Sequence, residues 1–160
     1  MMVSFKEYYY LCKEKYKKDK KQTTNSSDFY NFTVDYSPLI QIPLPLIKDL
    51  HDKSLIELKS SSCIKSKFSI GLGSNIYNLG NEIESIAKII IPYLEDNLYG
   101  CYLNLTRAYI YQNIKTKDNP DSSWKWHWDN HPQEMMKVII YLTDTTLTDG
   151  PFEILKHSQK

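Results

Sequence analysis

The chain has 160 residues, 20 basic against 19 acidic, and 41% hydrophobic residues. That length suits one domain with a real core, and the near-balance of charge argues against a global field aimed at nucleic acid or an anionic membrane. No stretch approaches the roughly 20 apolar residues of a membrane span, and the start, MMVSFKEYYYLCKEK, has neither the apolar core nor the cleavage site of a signal peptide.

In chain order, SFKEYYYLCKEKYKKDK reads as an amphipathic helix. Phe5, Tyr8, Tyr9, Cys12 and Tyr16 recur at helical spacing, with lysines on the other side. The basic run KEKYKKDKK is read as a solvated helix face running into a turn. Residues 22–37 are polar and read as loop. PLIQIPLPLIKDL starts extended and turns helical only after Pro45, which suits a first helical turn. IKDLHDKSLIELKSS keeps the helical period, with His51 as a surface or partly packed histidine. IGLGSNIYNLG reads as loop; it lacks a preceding buried strand and a third glycine, which excludes a dinucleotide or phosphate site.

The strongest helix signal begins at Asn81, where Asn81 and Glu84 form an N-cap and capping-box pair. Ile83, Ile86, Ala87, Ile90, Ile91, Leu94 and Leu98 then make one apolar stripe, which Pro92 should kink or end early. After Gly100 the period changes to two. CYLNLTRAYIY, WKWHWD, MKVIIYLTD and GPFEIL read as short strands separated by turns. Helices followed by consecutive strands predict an α+β chain: an N-terminal helical region over 1–98, packed on an antiparallel sheet or jelly roll over 99–160 within a single domain. The three cysteines, Cys12, Cys63 and Cys101, are odd in number and widely spaced, which gives no disulfide framework and fits a reducing cytoplasm.

The chemistry-bearing stretch is SSWKWHWDNHPQEMMKVIIYLTD. On a strand, residues i and i+2 share a side, so His127 and Asp129 face one way while Trp126 and Trp128 face the other. An imidazole and a carboxylate about 7 Å apart along the backbone can close on one first-row metal, as two corners of a 2-His-1-carboxylate triad. A lone His-x-Asp is a weak signal, and its plain alternative is a surface His–Asp pair.

The string WHWDN, then KVIIYLTD, then DGPFEIL resembles the Fe(II)/2-oxoglutarate-dependent dioxygenases of the double-stranded β-helix fold, in particular their phytanoyl-CoA-dioxygenase-like and prolyl-4-hydroxylase-like branches. The resemblance covers roughly 99–160 and implies N-terminal helices packed on a partial double-stranded β-helix. It implies His127 and Asp129 as iron ligands and Fe(II) and 2-oxoglutarate as cofactors. It makes Tyr141 the donor to the distal carboxylate of 2-oxoglutarate, with Tyr109 as its partner across an apolar barrel wall. Arg107 shares the face of Tyr109 and is expected either at the cosubstrate pocket or at the barrel mouth, and Lys137, on the face of Tyr141, is a further candidate at the cosubstrate.

The family's second histidine and carboxylate-binding arginine lie on strands beyond the Gly-started one, so the chain is expected to be a C-terminally truncated or degenerate copy. His131, turned out of the strand by Pro132, and His157 are the remaining candidates for the third ligand. The rival expectation is a non-catalytic jelly-roll binding module with a degenerate metal site. A hydrolytic zinc site in HWDNH lacks a general base and a closed ligand set. The substrate is expected to be a small molecule or a peptidyl side chain, with neither nucleic acid nor membrane as partner.

Overall fold

A computed structural model of the chain describes residues 4–20, 42–117, Lys125, His127 and 135–153. Helix α1 spans Phe5–Lys20. It opens on a capping box: the Ser4 N–H donates to the Glu7 carboxylate at 2.8 Å, and the Glu7 N–H to Ser4 Oγ at 3.2 Å. Its inner face carries Tyr9, Tyr16 and, against expectation, Lys13, while Tyr8 turns half outward. The Lys13 stem packs inside with its ammonium 5.6 Å from the Tyr9 ring centre, which is how a long amphipathic side chain tolerates burial.

Helix α2, Leu44–Glu57, starts with Pro45 in its first turn, where a missing N–H leaves no bond unmade. It buries Leu50 and Ser54, whose hydroxyl donates to the Leu50 carbonyl at 2.6 Å. The chain then forms a hairpin, β1 (Ile64–Lys65) and β2 (Ser69–Gly71), whose last residues, Ile70 and Gly71, begin the IGLGSNIYNLG stretch read as loop. Ser66 makes its turn by accepting the N–H groups of Phe68 and Ser69 at 3.2 and 2.9 Å. A 3-10 helix, Gly73–Leu79, follows and runs directly into α3, Gly80–Leu94.

That junction removes the expected capping box. The Gly80 N–H is already bonded to the Tyr77 carbonyl, so Asn81 lies inside the helix, where its carbonyl accepts the Ser85 hydroxyl at 2.7 Å. Glu84 instead pairs with Lys88 at 2.8 Å. The stripe itself is as expected, with Ile86, Ile90 and Leu94 buried. Pro92 faces outward and does not end α3, which continues into a π-helical turn over Glu95–Tyr99. The Gly100 N–H closes that turn on the Glu95 carbonyl at 2.8 Å, and Gly100 terminates it in the left-handed region with φ 56°.

The core gathers Tyr9 of α1, Leu50 of α2, Leu72 and Leu79, the α3 stripe, Tyr99 and Cys101. Among the described residues of the later part of the chain, Leu103, Ile110, Ile140 and Leu142 pack against it. The third strand, β3, is Tyr111–Asn113, and the antiparallel order is β1-β2-β3, with Ser69 opposite Asn113 and Gly71 opposite Tyr111. The chain is therefore α+β, and its sheet joins both sides of the 98/99 boundary drawn from the sequence. Of the stretches expected as strands, 101–110, 136–144 and the described part of GPFEIL, 150–153, carry no ladder; the WKWHWD strand lies outside the described residues except for Lys125 and His127. Among the described residues no helix is long and apolar enough to cross a membrane.

Two outcomes follow. Ile90→Ala should lower unfolding free energy by about 2–5 kcal/mol, the loss of a buried aliphatic side chain plus the cavity it leaves. Tyr77→Ser, at a residue 84% exposed, should stay within about 0.5 kcal/mol; urea denaturation measures both. Separately, Lys53 of α2 donates to Asp49 at 3.0 Å and to Glu82 of α3. The Lys53 hydrogen bond holds the Glu82 pKa below its ordinary 4.5. A lowered carboxylate pKa contributes stability that is present above the unfolded value and lost as pH falls through the folded one. The melting-temperature gap between the parent and Glu82→Gln should therefore be constant at neutral pH and close below 4.5.

Candidate functional site

Of the expected iron ligands, His127 is described and exposed; Asp129, His131 and His157 lie outside the described residues. The ring of His127 is oriented by its own backbone, with Nδ1 2.7 Å from the Lys125 carbonyl oxygen. A carbonyl only accepts, so Nδ1 carries the proton and, in the neutral ring, Nε2 carries the lone pair. This is the arrangement in which a histidine with a backbone-held Nδ1 presents Nε2 to a metal. Among the described residues no three His, Cys, Asp or Glu side chains converge as a metal site.

Arg107 and Tyr109 do share a face, as the i, i+2 spacing predicts: the guanidinium donates to the Tyr109 hydroxyl at 3.2 Å. That hydrogen bond raises the Arg107 pKa further and keeps it cationic. The pair lies in solvent, with Tyr109 72% exposed, so Tyr109 lines no apolar wall. Tyr141 is likewise 49% exposed. Its hydroxyl accepts the Phe152 N–H at 2.7 Å, which ties the expected strand after His-x-Asp to the expected Gly-started one. Both phenols accept in these bonds, so each keeps its own hydrogen for donation to an anion. Lys137 is exposed on the stretch leading to Tyr141.

A tight turn holds the Tyr141–Phe152 connection. The Thr146 N–H and Oγ1 bond Asp149 Oδ2 at 2.8 and 2.6 Å, at the head of a 3-10 turn over Leu147–Asp149. Gly150 ends it with φ 70°, a left-handed conformation that favours glycine. The Thr146 hydrogen bonds hold the Asp149 pKa below its ordinary value, helped by Lys115. The Thr-x-x-Asp spacing was the available sequence signal for this turn.

Two further features lie outside the sequence-based reading. A shallow recess of about 480 Å³ is lined by Leu44, Pro45, Ile47, Lys48, His51 and Leu142; His51 sits there with Nδ1 3.1 Å from Asp52, partly packed as expected. Glu95 is a buried carboxylate that accepts the Leu103 N–H at 2.7 Å. It fixes the chain leaving the π-helical turn, and nothing in its sequence neighbourhood distinguishes it from a surface glutamate. Compared with protein-family models, curated proteins and solved structures, the chain matches none.

The His127 geometry has a direct check. A long-range proton–nitrogen NMR spectrum of the imidazoles should show the Nδ1–H tautomer for His127, and deleting the ring in His127→Ala should remove that signal alone. A predominant Nε2–H tautomer would remove the backbone-held orientation.

Proposed function

We propose that this chain is an Fe(II)- and 2-oxoglutarate-dependent oxygenase, a hydroxylase built on helices packed against part of a double-stranded β-helix. The observation that carries the reading is His127, the first residue of a His-x-Asp pair, with Nδ1 bonded to a backbone carbonyl and Nε2 as its lone-pair nitrogen. The order of segments supports it too: His-x-Asp, then the Tyr141 stretch, then the stretch from Gly150 tied back to Tyr141 through Phe152.

In this reading His127 and Asp129 hold the iron. The bound metal supplies dioxygen activation coupled to oxidative decarboxylation of 2-oxoglutarate, with hydroxylation of the substrate. The chain's own contribution is binding and orientation. Tyr109 and Tyr141 donate hydrogen bonds from their hydroxyls to the far carboxylate of 2-oxoglutarate, and Arg107 and Lys137 supply positive charge beside them. A carboxylate held by exposed donors gains little, because water competes for every hydrogen bond and screens the charge. Affinity for 2-oxoglutarate is accordingly weak, and a small-molecule or peptidyl substrate is accepted without a deep pocket. Three free thiols, Cys12, Cys63 and Cys101, fit a cytoplasmic setting for the same reading.

The exposure of His127, Tyr109 and Tyr141 favours a second reading, a non-catalytic binding module in which these groups contact a partner instead of enclosing a cosubstrate.

Anaerobic titration with Fe(II), with and without 2-oxoglutarate, separates the two. The oxygenase reading expects metal binding that tightens with 2-oxoglutarate and falls at least about tenfold in His127→Ala and in Asp129→Ala, the loss typical of a removed ligand or its support. Tyr109→Phe and Tyr141→Phe should each weaken 2-oxoglutarate by roughly two- to fivefold, the worth of one exposed hydrogen bond. Metal binding identical in the parent and His127→Ala would overturn the oxygenase reading and leave the binding module.

A further inference from the structure

The near-balance of charge over the whole chain hides a local excess. The segments that build the sheet, residues 58–81 and 97–117, contain Lys59, Lys65, Lys67, Arg107, Lys115 and Lys117 and no acidic residue, while the rest of the chain holds 14 basic against 19 acidic residues. Among the described residues none of these six cations lies in an ion pair; Asp149 is near enough to feel the charge of Lys115 without pairing with it. The register then sorts the sheet into two faces. Phe68 is buried and Ile110 packs on the core, so their side of the sheet is the inner one. On the outer face Ile64, Gly71 and Tyr111 stand in one row across the three strands. The Leu72 N–H bonds the Ile110 carbonyl at 3.0 Å and the Ile114 N–H the Phe68 carbonyl at 2.7 Å, which holds β3 in strand geometry on both sides of that row. Ile64 is 67% exposed and Tyr111 58%. Gly71 leaves a gap between them: a Cβ there would lie 3.9 Å from Tyr111 Cβ, with nothing closer. Ile64 leans aside toward Gly73, where a Cβ would lie 3.1 Å from the Ile64 Cγ1. Strands β1 and β3 are two strand spacings apart, about 10 Å, so the gap admits one flat ring between an aliphatic and an aromatic wall. Because Phe68 pairs with Ile114, Lys67 and Lys115 stand together at one end of this slot.

We propose that the outer face of this sheet binds single-stranded nucleic acid, with one base inserted over Gly71 between Ile64 and Tyr111 and the neighbouring phosphates met by Lys67 and Lys115. None of these residues belongs to the proposed iron site. Charge and shape select the partner together. An acid-free basic surface attracts a polyanion, and each phosphate neutralised by a lysine releases counterions. The slot takes a flat ring that is neither stacked nor paired already, which a single strand offers and a duplex withholds. Ser69 and Asn113, opposite each other on the same face, add a hydroxyl and an amide for the polar edge of a base. A carboxylate-rich peptide would meet the lysines and leave the slot unfilled, and an anionic lipid surface is too flat to enter it. The expectation of no nucleic-acid partner rested on the charge of the whole chain, and this face departs from that sum.

The test is fluorescence anisotropy of the full chain with a labelled oligo(dT) about 15 nucleotides long, titrated between about 50 and 200 mM salt. The parent should bind with a Kd between about 1 and 100 µM at the lower salt, and log affinity should fall linearly with log salt. Lys115→Gln should reduce that slope by about 0.7, the share of one single-strand phosphate contact. Tyr111→Ala should weaken binding about tenfold or more at an unchanged slope, and Tyr111→Phe, which keeps the ring, should match the parent. Gly71→Val fills the slot while leaving every other group in place. Gly71 is not among the glycines with positive φ, and valine suits a strand better than glycine. This variant should therefore melt no lower than the parent and yet bind at least about tenfold more weakly. Absence of binding, binding unmoved by both Tyr111→Ala and Gly71→Val, equal affinity for a duplex of the same length, or preference for phosphatidylserine vesicles would each overturn the proposal.

Discussion

Burial of the α3 stripe is the constraint on which the other elements depend. Ile86, Ile90 and Leu94 recur every fourth residue and project into one cluster with Tyr9, Leu50, Leu72 and Leu79. Each buried side chain of this size contributes on the order of 1.5–3 kcal/mol, more than the exposed ion pairs strung along the same helices. The helix α1, with its high charge and tyrosine face, has little reason to dock anywhere else. The polar contacts then set the register rather than the strength. Glu95 accepts the Leu103 N–H, Tyr16 and Lys20 meet at Asp96, and Lys53 joins α2 to α3.

The three helices were legible because each repeats apolar residues near a period of 3.6 for three turns or more. Rotation about the helix axis was less legible in α1: Lys13 is inside and Tyr8 half outside, since a lysine stem fills space that residue type alone assigns to solvent. The β1–β2 hairpin was invisible for a different reason. Its strands have two and three residues, too few for a period of two to emerge from a Ser- and Lys-rich stretch. The same shortness explains why the long alternation after Gly100 yields a ladder only at Tyr111–Asn113. A strand pairs only as far as its partner extends, and β2 stops at Gly71.

At the candidate site, spacing worked where two residues were neighbours on one extended stretch, as for Arg107 and Tyr109. It could not foresee bonds that depend on backbone path. The Tyr141 hydroxyl finds the Phe152 N–H because a Thr146–Asp149 turn folds the intervening chain back, and His127 finds the Lys125 carbonyl two residues away. The tyrosines were expected against an apolar wall and stand in solvent instead. The physical reason lies in α3: its stripe is already covered by α1, α2 and the hairpin region, so little apolar surface remains for the later segments to enclose.

The sheet order has a consequence for how the molecule is made. The β2 strand precedes α3 and its outer partner β3 follows it, so the ribosome delivers the hairpin well before the segment that completes the sheet. During that interval the helices can collapse early through local contacts, while the free side of β2 displays unpaired N–H and C=O groups to any passing chain. Only when Tyr111–Asn113 emerges does the Ile114 N–H reach the Phe68 carbonyl and seal that edge. Slowing translation across α3 would lengthen the exposure, and the nascent chain's vulnerability to misassembly sits in that window rather than in the finished fold.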